Sequence, residues 1–299
     1  MNITIRRKLL DIINNYGPEE SEYEFLNSLL IKNKLVRSNF IQNIINNLEY
    51  LNSLETIMGH SRLKPFGYSG DFLLIEKIYK NFTSYNSKFE KWDKYSINMP
   101  AAQAVRNRKT IFKNLILEQL SKTCESIDLL NVASGPATDI KEIYEIIDPR
   151  LLQTTCIDSE IKAIDYAKIN LHKYLKNITF YNVNIIRFRS QKLYDVIWSA
   201  GLFDYFNDDI FIKVLKQFKD LLKPFGKIII GNFCKSNPTK DYMELFGNWY
   251  LIHRTEGELK ELALKAGFLE QSITIIKEEL NINLFLVIDL DYNGKMESS

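Results

Sequence analysis

From Phe40 onward the apolar residues recur at Ile41, Ile44, Ile45, Leu48, Leu51 and Leu54, a one-sided stripe at the helical period. Comparable spacing runs through 72–79 and 101–120. Turn formers punctuate this pattern, first at Lys64-Pro65-Phe66-Gly67-Tyr68-Ser69-Gly70-Asp71 and again at Asn98-Met99-Pro100. The first third therefore predicts helices, with no convincing strand before residue 126.

Beyond it the texture changes. Short apolar runs at 126–132, 152–157, 178–181, 194–198 and 227–230 are each bounded by turn or polar residues. Helical patterns lie between several of them, at 139–147, 160–175 and 210–222. The last places Ile210, Phe211, Val214, Leu215, Phe218 and Leu222 on one face. Strands alternating with helices predict a parallel sheet covered on both sides, a doubly wound α/β fold. Two β-rich runs at 271–276 and 282–290, separated by a short polar stretch, predict a closing antiparallel hairpin and bring the sheet to seven strands. Residues past Leu290 read as a loose tail. The break in texture divides the chain into an N-terminal helical domain, 1–120, and an α/β domain, 121–299.

Composition narrows the function more by exclusion than by assertion. At 299 residues and 45% hydrophobic, the chain can bury a sizeable core. A formal net charge of +2, with Lys and Arg scattered among carboxylates, leaves no electrostatic footprint for nucleic acid. No apolar run approaches the roughly 20 residues of a membrane span. The basic N-terminus leads into an amphipathic helix with no signal segment. Cys124, Cys156 and Cys234 are an odd, widely spaced set, which argues against disulfides and a zinc cluster and for a reducing, cytoplasmic setting. His60, His172 and His253 show no metal spacing, so no metal is expected.

The candidate chemistry sits at the strand ends. The first strand runs into Asn131-Val132-Ala133-Ser134-Gly135-Pro136-Ala137, where small residues at 133, 135 and 137 permit a tight turn and let a ligand touch bare backbone. An ordinary strand–loop–helix connection would look similar. The second strand ends in Asp158-Ser159, and Asp158 lies 23 residues beyond Gly135. That is near the roughly 20-residue offset at which an acid grips ribose hydroxyls in this topology. Capping of the following helix is the alternative role for Asp158. Asn184 ends the third strand, placed to bond an adenine amino group. The fourth strand leads into Ser199-Ala200-Gly201-Leu202-Phe203-Asp204-Tyr205 at the switch point of the sheet, where Phe203 and Tyr205 would meet cofactor or substrate unless they pack under the next helix.

Together these stretches resemble a class I methyltransferase. The first turn resembles that family's acid–x–Gly–x–Gly–x–Gly loop, Ser199-Ala200-Gly201-Leu202 its loop after strand four, and Leu221-Leu222-Lys223-Pro224-Phe225-Gly226-Lys227 its approach to strand five. The match covers about 125–290 and departs at Asn131, where the family has an acid, and at Ala133 and Ala137, where it has glycine. The resemblance implies S-adenosyl-L-methionine as cofactor, held by Asn131, Ala133, Ser134, Gly135, Pro136, Asp158, Ser159, Asn184, Ser199, Ala200, Gly201 and Phe203. A narrower resemblance adds Lys64–Asp71, Pro100-Ala101-Ala102-Gln103-Ala104-Val105-Arg106-Asn107-Arg108 and Trp249-Tyr250-Leu251-Ile252-His253-Arg254. These recur in a bacterial group that includes methyltransferases assigned to the synthesis of 3-hydroxypalmitic acid methyl ester. It implies that the N-terminal domain is a lid touching the cofactor, with Tyr68 and Asp71 at the reaction centre.

Methyl transfer asks the protein to align nucleophile and methyl, to exclude water, and to supply a base only where the nucleophile needs one. The expected catalytic set is Tyr68, Asp71 and Arg254, and the expected substrate-side set Arg106, Asp204, Tyr205, Glu244 and Trp249. Either Arg254 or Arg106 would hold a carboxylate bidentately, and a carboxylate acceptor needs no base. The expected function is methylation of a small molecule, at the carboxylate of a fatty or other organic acid. An amine or hydroxyl acceptor, a nicotinamide-dependent oxidoreductase and a catalytically dead binding module are the competing readings. The oligomeric state is not legible.

Overall fold

A computed structural model describes residues 3–29, 39–123 and 125–290; Cys124 and the tail expected past Leu290 lie outside them. The helical third contains Ile3–Asn14 (α1), Tyr23–Asn27 (α2), Asn39–Asn46 (α3), Ile57–Leu63 (α4), Phe72–Tyr79 (α5), Ser87–Ile97 (α6) and Pro100–Ser121 (α7). Then Ile127–Val132 (β1), Thr138–Tyr144 (α8), Leu152–Asp158 (β2), Ile161–Asn170 (α9), Ile178–Asn182 (β3) and Tyr194–Ser199 (β4) alternate. Asp208–Asp220 (α10), Leu222–Phe233 (β5), Lys240–Gly247 (α11), Glu256–Lys265 (α12), Ile273–Lys277 (β6) and Asn283–Asp289 (β7) complete the order. Among the described residues no helix is long and apolar enough to cross a membrane.

Two compact units emerge, Met1–Arg106 with Asn237–Tyr250, and Asn107–Ser236 with Leu251–Ser299. The first division thus falls inside α7, ahead of residue 120, and the segment carrying Glu244 and Trp249 belongs to the helical unit. Local bonds explain that membership. The Ser61 hydroxyl donates to Gly247 O at 2.9 Å and the Ser69 hydroxyl to Asn248 O at 2.9 Å. At the centre of this unit the Tyr50 hydroxyl donates to Asp93 Oδ1 at 3.0 Å and lies 2.8 Å from Ser96 Oγ, itself 2.8 Å from the Tyr242 hydroxyl. The Tyr50 ring stacks on Trp92 with centroids 5.8 Å apart. A buried polar network of this kind holds its helices in one arrangement only while every member is bonded.

The second unit is built on a seven-stranded sheet in the order β3-β2-β1-β4-β5-β7-β6. Strands β1 to β5 pair in parallel, and β7 runs antiparallel between β5 and β6. The doubly wound expectation and the closing hairpin both hold. Because β1 pairs with β2 on one side and β4 on the other, the strand order reverses there, which opens a crevice at their carboxyl ends. One face of the sheet packs Phe203, Phe211, Val214, Leu215 and Phe218, all fully buried. On the other face Trp198 stacks against Phe285 with ring centroids 5.6 Å apart. The Pro224-Phe225-Gly226 turn is a bulge within β5 rather than its start. Pairing passes from Tyr194↔Leu222 directly to Val196↔Lys227, with Phe225 at φ +62°. Pro224 has no N–H to give a ladder, so the strand steps out around it.

Candidate functional site

The loop between β1 and α8 is shaped by its backbone. Ala133, Gly135 and Ala137 have φ of +53°, +53° and +51°. Glycine adopts this region freely, whereas alanine pays about 1 kcal/mol for it. The two alanines therefore keep the path of a glycine-rich loop at the cost of strain. The Ser134 N–H donates to Ile157 O at 3.0 Å, the Ala137 N–H to Ser134 O at 3.0 Å, and Asn170 Nδ2 to Pro136 O at 3.0 Å. This pins the loop to β2 and α9.

Asp158 ends β2 and is nearly buried. Its Oδ2 accepts the Gly135 N–H at 2.9 Å and its Oδ1 the Glu160 N–H at 2.9 Å. Burial raises its pKa, and those N–H groups work against the rise. It does not cap α9, since that helix is capped by the Glu160 side chain, which accepts from the Lys162 N–H. A carboxylate offers about four lone-pair directions, so two backbone bonds leave acceptors for a diol. Ser159 beside it is exposed. After β3, Asn184 is exposed and its Oδ1 accepts the Ile186 N–H at 2.9 Å. Asn182, which sequence reading passed over, donates to Asp158 O at 3.0 Å and ties β3 to the same corner.

After β4, the buried Ser199 hydroxyl donates to Val132 O at 3.3 Å, joining this loop to the end of β1. Ala200 is half-buried and Gly201 exposed. The backbone of β5 comes so close here that a Cβ on Gly231 would lie 2.4 Å from Ala200 O. Residues 133–136, 158–159, 184 and 199–201 thus gather at the carboxyl ends of four neighbouring strands.

Other expected site residues have different work. Phe203 is fully buried, edge-on to Phe211 at 4.7 Å and Phe218 at 5.7 Å, so it is a core residue and not a cofactor contact. Asp204 is also buried. It accepts the Phe233 N–H at 2.6 Å, and burial pushes its pKa up to about 7. Tyr205 remains 36% exposed. Arg254, expected to face an acceptor, is 2% exposed and committed within the fold. Its Nη1 donates to Phe203 O and Asn232 Oδ1, its Nη2 to Phe206 O and Asp208 Oδ1, and its guanidinium lies 4.9 Å from the Phe211 ring centre.

In the helical unit, Asp71 is fully buried and caps α5, its Oδ1 accepting the Leu73 and Leu74 N–H groups. Both carboxylate oxygens lie 2.9 Å from His60 Nε2. Asp71 is therefore a helix cap held by histidine and not an exposed catalytic acid. Tyr68 is half-buried in the preceding turn. Glu244 is half-buried and pairs with Lys240 at 3.8 Å. Trp249 is buried. Arg106 donates from Nη2 to Ile97 O at 2.9 Å, while its buried Nη1 has no hydrogen-bond partner.

The strand-end residues fit an S-adenosylmethionine-like ligand on one test internal to the structure. Asn131 Nδ2 and Ser134 Oγ are buried without a hydrogen-bond partner, although the Cys156 thiol adjoins the serine. Each orphaned group costs about 1–3 kcal/mol, which a polar ligand end would recover. Together with Asp158 and Asn184 they supply donors and acceptors suited to an amino-acid end, a ribose diol and an adenine.

A methyltransferase-domain family model matches residues 124–272. Among solved structures, the chain is similar to a Bordetella parapertussis protein described as a possible exported protein, at 14% identity and a TM-score of 0.69 over 97% of this chain and 99% of that one. It is also similar to the CurJ carbon methyltransferase, at 15% identity and a TM-score of 0.54 over 97% and 72% of the two chains. Magnesium protoporphyrin IX methyltransferase from Synechocystis PCC 6803, with bound SAH, aligns at 10% identity and a TM-score of 0.50 over 64% and 86%. At these identities the likeness establishes the fold. No curated protein matches the sequence. The α/β unit therefore carries a class I methyltransferase domain, and the protein is an S-adenosylmethionine-dependent methyltransferase.

Proposed function

We propose that the enzyme methylates the carboxylate of a small organic acid, a fatty acid or another, and that Arg106 holds that carboxylate. The observation that carries this reading is the buried, unpartnered Nη1 of Arg106. Burial lowers the pKa of the guanidinium, and an anion beside it would oppose that shift. A carboxylate supplies one, with charge-assisted bonds worth more than neutral ones. Asp158 would hold the ribose diol, Asn184 the adenine edge, and Asn131 and Ser134 the methionine end of the cofactor. Bound there, S-adenosylmethionine supplies a methyl group already activated on a sulfonium sulfur, so the chain has to bind, orient and exclude water.

The histidines support an acceptor that needs no base. His60 is bonded to Asp71, and His253 is buried with Nδ1 3.1 Å from Leu251 O. The narrower bacterial resemblance favours a 3-hydroxy fatty acid.

The test is incubation with methyl-labelled cofactor and a panel of hydroxy fatty acids, aromatic acids, amines and phenols. Label released by mild alkali marks an ester and supports the reading; label confined to alkali-stable products overturns it. An Arg106→Ala variant should raise KM for the acid while leaving S-adenosylhomocysteine affinity unchanged.

A further inference from the structure

In the α/β unit a second arginine lies close to the strand-end loops. Arg108 of α7 is 7% exposed. A Cβ built on Gly201 would lie 3.0 Å from its Nη1, so the guanidinium rests directly against the loop after β4. Its charge also acts on two buried acids, Asp139 at the start of α8 and Asp204 after β4. Asp139 is itself a link between the loops, because its Oδ2 accepts the indole N–H of Trp198 at 3.1 Å while its Oδ1 accepts the Ile140 N–H. Asp204 in turn accepts the Phe233 N–H of β5.

We infer that Arg108 is a positioning residue of the methyltransferase, binding the loop after β1 to the loop after β4 and so fixing the ledge 199–201 against which the cofactor lies. Removing the cation takes from Asp139 the positive charge that acts on it, and from Asp204 one of the two that do. Burial raises the pKa of both acids, and Arg108 opposes the rise at each. The other charges acting on Asp204 are those of Arg254; on Asp139, the Glu142 carboxylate pushes the pKa further up, and the Cys156 thiol adjoins it. Without Arg108 both carboxyls hold their protons to higher pH. The acids then destabilise the corner increasingly as pH rises, because a buried carboxyl with a raised pKa penalises the folded state only where the unfolded state has released the proton. The role rests on cofactor binding at the β1–β4 crevice.

The experiment compares wild type, Arg108→Lys and Arg108→Met by S-adenosylhomocysteine titration and by Tm at pH 5 to 8. Arg108→Met should weaken S-adenosylhomocysteine at least tenfold at pH 8 and less at pH 5, with a Tm deficit that widens as pH rises. Arg108→Lys should recover most of the affinity and hold the deficit constant. Gly201→Ala gives an independent reading in a chain that retains Arg108. Its added methyl group would lie 3.0 Å from Nη1 and crowd the guanidinium, so it should weaken binding several-fold, and much less in the Arg108→Met background. Absence of binding by the wild type would remove the cofactor site itself. Binding by the wild type with equal affinity in Arg108→Met, or a deficit independent of pH, would overturn the role of Arg108 alone.

Discussion

Gly135 donates its backbone N–H to Oδ2 of Asp158 at 2.9 Å, so the loop after β1 and the end of β2 are locked by one carboxylate. The same group is the one proposed to hold the ribose diol, and on that proposal one substitution strikes both the loop and the ligand. Asp158→Ala should weaken S-adenosylhomocysteine by about tenfold or more, as loss of a charged hydrogen-bond partner costs roughly 1.5–3 kcal/mol. Asp158→Asn should lose less, because an amide oxygen still accepts one of the two backbone bonds. Calorimetric titration of the three proteins ranks them; equal affinities would remove Asp158 from the site.

The approach of β5 to the loop after β4 leaves no room for a side chain at Gly231, whose Cβ would lie 2.4 Å from Ala200 O. Gly231→Ala has to push backbone rather than a side-chain tip. It should lower stability by about 1–3 kcal/mol and weaken cofactor binding at the same time. Urea unfolding and S-adenosylhomocysteine titration check the pair of effects. A stable variant with normal affinity would show that the ledge yields without cost.

Arg254 should behave as a structural cation. Arg254→Ala leaves the Phe203 and Phe206 carbonyls and the buried Asn232 Oδ1 without their donor, and each buried acceptor left unsatisfied costs about 1–3 kcal/mol. Urea unfolding should report that loss. A variant of normal stability that no longer turns over would instead return Arg254 to the acceptor.

Asp93 gives the helical unit a pH signature. Burial raises its pKa to about 6, against the ordinary carboxylate value near 4. Between those values the folded state keeps a proton that the unfolded state has released. The penalty is absent below about pH 4, grows as pH rises, and is complete above about pH 6. Wild-type Tm should thus lose ground to an Asp93→Asn variant across this interval, although the variant starts lower because its amide faces the Ser84 N–H that Oδ2 accepts at 2.8 Å. Parallel Tm curves from pH 4 to 6.5 would contradict this.

Periodicity made the sheet legible because each strand is a short apolar run between turn formers, and the structure moves those boundaries by only a residue or two except at β5. The long bulge of β5 was hidden because Pro224 and Gly226 look the same at the start of a strand and inside one. Helix α12 was missed because its buried stripe is only Leu259, Leu262 and Ala263, yet the Thr255–Glu258 capping box announced it. At the candidate site, the gathering of polar and small residues at strand ends was readable from spacing, whereas burial was not. Arg254 and Asp71 are charged residues in turn-rich segments, and nothing local separates a buried clasp or cap from an exposed catalytic group. Long-range bonds decide it, Arg254 to Asn232 and Asp71 to His60.

Calorimetric titration of the full chain with S-adenosylhomocysteine tests the account most directly. One site of micromolar affinity, weakened about tenfold or more by Asp158→Ala, is the predicted result. A folded wild-type chain that releases no heat and shows no Tm shift at millimolar ligand would contradict it.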